Sequence, residues 1–388
     1  MVYLLHEEKM KKTFYEFFAG GGMAHAGLGR GWECLFANDF SEKKAESYAA
    51  NWGDRSLLIG DIALVQTDKL PGQADLAWAS FPCQDLSLAG NGAGLDGKRS
   101  GIFWPFMDLM AELNKQGRKP RMIALENVYG AITSHDGKDF EALIEAVALQ
   151  GYRVGAMVID AVHFLPQSRP RLFIVAVDCG LQIPDECLSE VPNPAWHPAA
   201  IIKGYNQLEI KFKDQWIWWN LPMPKRRLKT LDDIVEINPQ GVEWHTDVET
   251  ANLLSMMAPV NRQKVMRAQE SGRLHVGTIY RRTRNGVQRA EVRFDGVSGC
   301  LRTPSGGSSR QTIIIVDGSL IRSRLLSPRE AARLMGLKDS YVLPMRYNDA
   351  YHLAGDGVAV PVVSHLTKYI FDLVADRNSA VLPFAKVA

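Results

Sequence analysis

The stretch TFYEFFAGGGMAHAGLG, residues 13–29, runs from an apolar segment through three glycines into a helix-like pattern. We interpret residues 13–20 as a strand whose end, with Gly20, Gly21 and Gly22, turns into the first helix. Glycine permits such a tight turn and lets a ligand approach the backbone closely. In open α/β sheets, ligands bind at the carboxyl ends of the strands. The stretch therefore predicts a strand, a loop and a helix, with a ligand at the loop.

The rest of the first 180 residues repeats this alternation. Further strand-like runs lie at residues 34–40, 56–62, 75–81, 122–128, 152–160 and 171–178, and helical periods lie at residues 41–52, 101–117 and 139–151. Strands that alternate with helices indicate an α/β fold with a doubly wound, mostly parallel sheet. An α+β fold, the alternative, would not alternate so regularly.

The character of the chain changes near residue 180 and again near residue 320. Residues 181–320 are rich in proline, tryptophan and turn residues, and the strand–helix rhythm is lost there. A helix then begins at SPREAARLMGL, with Ser327 as N-cap, Pro328 at the first helical position and Glu330 completing a capping box. We expect a first part at 1–180, an inserted domain at 181–320 and a final part at 321–388.

Two acidic residues follow predicted strands near the glycine loop. Asp39 comes 19 residues after Gly20, where an acid typically binds ribose hydroxyls, and Asp61 ends the third strand. The pattern G-x-G-x-x-G is broken at His25. These residues favour a cofactor that contains a nucleoside, either NAD or S-adenosylmethionine. The alternative is that the glycines only form a turn and the acids only cap helices.

The fourth and fifth strands end with residues suited to chemistry. Cys83 follows the apolar run at 75–81, and Glu126 lies in ALENV at the same predicted sheet edge. A cysteine is a nucleophile only as thiolate, and a carboxyl group beside it suits acid–base work. Arg169 and Arg171 alternate on one face of an extended segment. Taken singly, each has an ordinary structural explanation: a buried thiol, a capping glutamate and a surface ion pair.

The composition excludes several classes of protein. Hydrophobic residues make up 46% of the chain and charged residues 23%, with a net charge of +2, which is typical of a globular protein. The five cysteines are widely spaced and form no C-x-x-C pattern, so we expect neither a disulfide framework nor a metal site. We see no signal peptide and no apolar run long enough to span a membrane, and expect a cytoplasmic protein.

The inserted domain concentrates positive charge. Residues 262–310 contain eleven Lys or Arg and three acidic residues, a local balance of +8. Such a concentration is typical of contact with phosphates. Within it, LRTPSGGSSRQT at 301–312 combines two glycines with polar and basic side chains that reach phosphates or base edges. The alternative is a charged face that only contacts solvent.

Taken together, these motifs resemble the DNA (cytosine-5-)-methyltransferase family, which depends on S-adenosylmethionine. The similarity rests on FFAGGG, ND at 38–39, GDI at 60–62, FPCQ, ENV, QSRPR, SPREAARLMG and GDGVAVP, in the family's order over nearly the whole chain. It implies a Rossmann-like class I methyltransferase domain with a small, irregular, β-rich target-recognition domain, and a last segment that returns beside the first motif. The chain departs from the family at Asp356, where many members have asparagine.

The resemblance also implies roles for individual residues. Cys83 would attack C6 of the target cytosine, Glu126 would protonate N3, and Arg171, with Arg169, would hold the base O2 and the active-site carboxylate. The residues implied for cofactor binding are Phe18, Gly20, Gly22, Asp39, Phe40, Asp61, Ile62, Pro82, Ile102 and Val358. The residues expected to contact DNA are Gln84, Ser87, Lys98, Arg99, Gln167, Arg302, Gly306, Gly307, Ser308 and Arg310.

C6 of a cytosine is inaccessible inside a duplex, so the base must be flipped out. We therefore expect an enzyme that methylates cytosine in a specific double-stranded DNA sequence, acting as a monomer and paired with a cognate restriction endonuclease. The alternatives are a tRNA cytosine-5 methyltransferase, a catalytically silent DNA-binding relative and an NAD-dependent oxidoreductase.

Overall fold

The computed structural model describes residues 11–82, 102–284, 286–302 and 310–379. Seven strands form the main sheet in the order β3-β2-β1-β4-β5-β7-β6. They are β1 Lys12–Phe17, β2 Trp32–Asp39, β3 Leu57–Ile59, β4 Leu76–Ala79, β5 Met122–Val128, β6 Tyr152–Asp160 and β7 Pro170–Asp178. All neighbours are parallel except the pairs that β7 makes with β5 and β6. This confirms the predicted α/β class with a mostly parallel sheet.

Helices cover both faces of this sheet, as the doubly wound prediction requires. The first four are α1 Met23–Leu28, α2 Glu42–Trp52, α3 Phe103–Lys115 and α4 Lys138–Leu149. Two large apolar cores result. One contains Tyr15, Phe36 and Phe106, and the other contains Phe14, Trp78 and residues from the end of the chain. The last four residues of β1, at positions 14–17, are buried, as expected for a strand that is covered by helices on both faces.

The insert contributes a second, antiparallel sheet in the order β11-β10-β12-β13. Its strands are β10 Leu274–Arg284, β11 Val287–Arg293, β12 Thr312–Asp317 and β13 Leu320–Leu325. The elements that precede this sheet in the chain are β8 Leu188–Ser189, α5 Ala199–Gln207, α6 Ile210–Lys213, β9 Trp218–Trp219, α7 Asp247–Ser255 and α8 Pro259–Glu270. Helices α7 and α8 pack against one face of the sheet through Leu253, Val265 and Ile279. On the other face, Ile313 joins the core of the first part.

The change of packing does not coincide with the expected boundaries at residues 181 and 320. Ile201 and Phe212 lie in the core shared with α3 and α4, and Trp219 and Ile234 lie in the other core of the main sheet. The strand β13 crosses residue 320. Part of the proline-rich sequence after residue 180 therefore packs with the main sheet. The boundaries of a target-recognition domain therefore remain a prediction.

The last helices return to the first part of the chain. They are α9 Pro328–Leu334, α10 Tyr347–Asp356, α11 Val360–Leu366 and α12 Asp372–Ser379, with a π-helical turn between the last two. The capping box of Ser327 and Glu330 is present as predicted. Ser364 donates a hydrogen bond to the Gly27 carbonyl in α1 (2.9 Å). The return beside the first motif, which the family resemblance implied, is therefore observed.

One run, Tyr347–Ser379, is long and apolar enough to cross a membrane by length and composition. The expectation that no such run exists was therefore wrong. Its most apolar stretch is 61% buried inside the protein, and the helices are broken at residues 357–359. A core helix passes the same test, so this run is weak evidence for a membrane span.

A buried carboxyl group lies beneath the glycine loop. Glu16 on β1 accepts a hydrogen bond from the backbone N–H of His25 (3.3 Å). The His25 ring stacks on Trp52 at 4.2 Å and its Nδ1 is 3.1 Å from the Tyr48 hydroxyl, so it is not a solvated residue. Burial raises the pKa of Glu16 to about 8, and the nearby Asp39 adds to this rise. Glu16 is therefore protonated at neutral pH in the folded protein.

This raised pKa predicts a pH-dependent stability. Between pH 4.5 and 8 the unfolded chain releases the Glu16 proton while the folded chain keeps it, so stability falls as the pH rises. We expect the free energy of unfolding of the wild type to fall over this range more than that of Glu16→Gln, by roughly a few kcal/mol at most. The melting temperature of the wild type should fall more for the same reason. Glu33→Gln, at an exposed position of β2, is the control. Parallel curves for Glu16→Gln and the wild type would contradict the assignment.

Candidate active site

The glycine loop begins where β1 ends. Phe18, Gly20 and Gly22 have φ of 56°, 56° and 73°, which places all three in the left-handed region. A Cβ atom at Gly22 would lie 2.3 Å from Nε1 of Trp52, whereas one at Gly20 would meet nothing within 4 Å. Gly22 is therefore required by both conformation and space, and Gly20 by conformation alone. The open space beside Gly20 lets a ligand approach this backbone.

Asp39 supports the same loop from the end of β2. Its Oδ2 accepts a hydrogen bond from the Gly20 N–H (2.7 Å), and its Oδ1 accepts one from the Ser41 N–H (2.8 Å). The side chain is 8% exposed. Each carboxylate oxygen can accept more than one hydrogen bond. Supporting the loop is therefore compatible with the predicted contact between Asp39 and ribose hydroxyls.

The other predicted cofactor residues follow neighbouring strand ends. Phe40 is 77% exposed, Ile62 and Val358 are buried, and Asp61 uses Oδ1 to accept the Ala63 N–H (2.9 Å). Phe18 and Ile102 are half-buried, and Pro82 is exposed. Because β3, β2, β1 and β4 are parallel neighbours, their carboxyl ends share one edge of the sheet. An exposed aromatic ring there is suited to stacking on a flat base.

Asp356, the departure from the family pattern, has an ion-pair partner. Its Oδ2 lies 2.7 Å from Nζ of Lys44 on α2. Burial alone would lower the pKa of Lys44, but Asp356 and Asp39 together raise it above its usual value. Lys44 therefore offsets the charge that aspartate adds to the motif, and the pair links α10 to α2.

Glu126 and Arg171 form a buried ion pair on adjacent strands. Val128 pairs with Arg171 across β5 and β7, so Glu126, two residues earlier, is a diagonal neighbour on the same face. Nε of Arg171 lies 3.2 Å from Oε1 of Glu126, whose residue is 5% exposed. Burial raises the pKa of Glu126, and the charges of Arg171 and Arg169 counteract only part of that rise. The glutamate is thereby suited to holding and donating a proton.

Arg169 points into the protein and joins segments that are far apart in sequence. It is 2% exposed. Nη1 donates to the Leu301 carbonyl (3.0 Å), and Nη2 donates to the carbonyls of Gly355 (2.8 Å) and Gly357 (2.7 Å). Arg169 therefore holds the insert and the last motif against β7. Its expected role beside the active-site carboxylate stays a prediction.

Gln167 was expected to contact DNA, and its burial argues against that expectation. It is fully buried; Nε2 donates to the Leu334 carbonyl (2.7 Å), and Oε1 accepts the Leu301 N–H (3.1 Å). A glutamine in a polar, arginine-rich segment resembles a surface residue in sequence. Both of its partners lie more than 130 residues away, so the sequence offered no signal of its burial.

Several predicted residues lie outside the described part of the chain: Cys83, Gln84, Ser87, Lys98, Arg99, Gly306, Gly307 and Ser308. The chain leading to Cys83 is described. The Phe81 carbonyl accepts a hydrogen bond from Nδ2 of Asn127 (3.2 Å), which holds the end of β4 beside Glu126. Cys83 is the second residue after Phe81.

Two predicted DNA contacts are described. Arg302 is exposed. Arg310 is half-buried, hydrogen-bonds to Asn348 of α10 and lies 5.5 Å from the centre of the Tyr347 ring. Arg302 is therefore free to meet a ligand from solvent, whereas Arg310 already packs against the last part of the chain. Within residues 11–82, 102–284, 286–302 and 310–379, no group of three or more His, Cys, Asp or Glu is arranged to hold a metal ion.

Sequence reasoning missed Cys300, whose side chain lies against Arg169 and Arg171. Sγ of Cys300 lies 3.4 Å from Nη1 of Arg169 and 4.0 Å from Nη2 of Arg171. The thiol belongs to the insert, 129 residues after Arg171. No spacing rule connects the two, and the available signal was that the cysteine lies within the basic stretch at residues 262–310.

Comparisons with known proteins agree with this geometry. The family C-5 cytosine-specific DNA methylase matches residues 12–372. The chain is 26% identical to the type II methyltransferase M.HpaII of Haemophilus parainfluenzae, over 93% of this chain and 90% of that protein. It is 25% identical to the type II methyltransferase M.HhaI of Haemophilus parahaemolyticus, over 91% of this chain and 92% of that protein.

A solved structure supports the fold. The S. pombe Dnmt2 methyltransferase superposes with a TM-score of 0.57 at 18% identity, covering 95% of this chain and 99% of that one. At that identity the likeness concerns the fold alone. Because the family match extends over almost the whole chain, this protein belongs to the C-5 cytosine-specific DNA methylase family and is a DNA cytosine-5 methyltransferase.

Proposed function

We propose that this enzyme transfers the methyl group of S-adenosylmethionine to C5 of a cytosine that is flipped out of a specific duplex DNA sequence. The observation that carries the proposal is the buried Glu126–Arg171 pair. It lies on β5 and β7, next to the strand that leads to Cys83. An acid and a cation at one sheet edge, together with a thiol two residues after Phe81 of the neighbouring segment, match the needs of addition to a pyrimidine ring.

Residues at the neighbouring strand ends fit the proposed methyl donor. Phe40 offers an exposed ring for the adenine, Asp39 offers carboxylate oxygens for the ribose, and the backbone beside Gly20 is open. When bound, S-adenosylmethionine supplies an electrophilic methyl group. Asp39 would orient this ligand while continuing to support the loop.

The proposed chemistry divides one difficult step into easier ones. The Cys83 thiolate forms a bond to C6 while Glu126 gives a proton to N3, which makes C5 nucleophilic enough to take the methyl group. Transfer of the C5 proton to water, return of the N3 proton to Glu126 and breaking of the bond between Cys83 and C6 would then restore the aromatic ring, the acid and the thiolate. Arg171 would hold O2 of the base while its Nε stays with Glu126, so that the acid remains aimed at N3.

The insert presents a basic face for the DNA backbone. Arg282 and Arg289 are cross-strand partners in β10 and β11, on the same side as Thr278 and its partner Ile313, which packs toward the main sheet. Arg282 is already bonded to Tyr280 and Glu291. Arg289 is exposed and, among the described residues, has no ion-pair partner. We assign Arg289 to a phosphate.

We also propose that the enzyme acts as a monomer in the bacterial cytosol or nucleoid, together with a cognate restriction endonuclease. The type II designation of the two relatives supports the pairing with a nuclease. Methylation of the host's own sites would then protect them from cleavage.

The reaction is tested by tritiated methyl transfer from S-adenosylmethionine to DNA and to tRNA. We expect DNA to be labelled and tRNA to remain unlabelled. We expect Cys83→Ala to abolish transfer and Glu126→Gln to slow it by roughly 100-fold or more, because general acid catalysis typically contributes about 10²–10⁴. Cys179→Ala, at an exposed thiol just beyond the far end of β7, is the matched control. Labelled tRNA would favour the alternative substrate, and transfer by Cys83→Ala would overturn the mechanism.

The basic face is tested by comparing two arginine variants. Arg289→Ala removes a charge from the proposed DNA side, and Arg267→Ala removes the same charge from an exposed position of α8, which covers the opposite face of the sheet. One lost phosphate contact lowers the slope of log K against log salt by about 1. We expect that change for Arg289→Ala and none for Arg267→Ala, measured by fluorescence anisotropy. Equal slopes in both variants would place the DNA elsewhere.

A further inference from the structure

Cys300 lies against both arginines of the site, although it belongs to the insert. Its Sγ is 3.4 Å from Nη1 of Arg169 and 4.0 Å from Nη2 of Arg171. When protonated, it donates to the Leu301 carbonyl (3.4 Å), which also accepts from Arg169. The side chain is half-buried. The thiol is therefore placed between the two guanidinium groups.

Each nitrogen of the Arg171 guanidinium group faces a partner. Nε faces Glu126 at 3.2 Å, Nη1 donates to the Pro170 carbonyl (3.1 Å), and Nη2 is directed at Cys300. A planar group held at three corners has one orientation. Without the sulfur, the Nη2 corner loses this contact.

The surroundings of Cys300 favour an acceptor. Burial alone would raise the pKa of the Cys300 thiol, but the charges of Arg169, Arg171 and Arg302 together lower it below its ordinary value. Among the residues that the structure describes, the other ionisable groups nearby are Tyr351 of α10, which accepts the Gln311 N–H, and Glu126 behind Arg171. Three cations thus outweigh one carboxylate around this sulfur, and a charge-assisted hydrogen bond is stronger than a neutral one.

We propose that Cys300 is a positioning residue, which accepts hydrogen bonds from Arg169 and Arg171 and thereby orients Arg171 toward the cytosine. The inference rests on the proposed function, because it acts through the base contact assigned to Arg171. Cys300 would thus add a residue of the insert to the side chains that position the cytosine. DNA recognition by the insert and the geometry of catalysis are then linked through one side chain.

The kinetic test uses Cys300→Ala and Cys300→Ser. Loss of a hydrogen bond to a charged group predicts that Cys300→Ala lowers kcat about 10-fold, with little change in the KM for S-adenosylmethionine. Serine keeps an acceptor and should recover the rate to within about 3-fold of the wild type. Cys179→Ala is again the matched control. An unchanged kcat in Cys300→Ala, or a loss that serine does not recover, would overturn the positioning role.

A second measurement needs neither DNA nor activity. In Cys83→Ser protein, the rate at which iodoacetamide alkylates Cys300 is followed by mass spectrometry of the peptide between pH 5 and 10, with Cys179 of the same sample as reference. We expect Cys300 to titrate below about 8.5, the value of a free thiol, and Arg171→Met to move its curve upward. A Cys300 curve that coincides with that of Cys179 and ignores Arg171→Met would overturn the contact.

The two measurements separate the inference from the proposed function. If the enzyme does not methylate DNA, the proposed function fails, but the alkylation curve still decides whether the arginines hold the thiol. If DNA is methylated and Cys300→Ala turns over like the wild type, the inference fails alone.

Discussion

The arrangement of the site depends on the buried guanidinium group of Arg169. Its hydrogen bonds to the carbonyls of Leu301, Gly355 and Gly357 join the insert and the last motif to the start of β7. A buried carbonyl without a donor costs about 1–3 kcal/mol, so any movement of these segments apart leaves several such groups unpaired. Arg169 therefore contributes to the position of the insert and of the last motif relative to the catalytic strands.

A second buried contact, an ion pair, joins the end of the insert to the helix that follows it. Arg324 on β13 and Glu330 on α9 are fully buried and paired through both carboxylate oxygens, at 2.6 and 2.8 Å. Glu330 also caps its own helix at Ser327 and accepts the Glu236 N–H. Buried ion pairs are poor sources of net stability, but removing one partner is strongly destabilising. The pair therefore fixes the position of β13 relative to the start of α9.

How much of the structure can be predicted from the sequence depends on how far apart in the chain the interacting residues lie. The strands at 122–128 and 152–160 were predicted to the residue, because continuous apolar runs report burial locally. The first strand was drawn to Gly20 but ends at Phe17, since the turn begins with a left-handed Phe18 that no propensity anticipates. Gln167 has the sequence context of a surface residue, and only contacts more than 130 residues away bury it. The local sequence pattern thus predicts the strands, the helices and the residues at the strand ends. The partners of buried polar groups, in contrast, depend on the completed fold.

Cys300 could not be placed near Glu126 from the sequence, but the charges around Glu126 explain why a thiol is suited to that position. Only the family resemblance implied that Glu126 and Arg171 are neighbours, because in that family the arginine holds the active-site carboxylate. Their charges offset one another, but Arg169 adds a second buried cation that shares the same carboxylate. Buried charge is tolerated only where it is paired or hydrogen-bonded. The thiol of Cys300 accepts hydrogen bonds from both arginines, and their charges lower its pKa below the ordinary value.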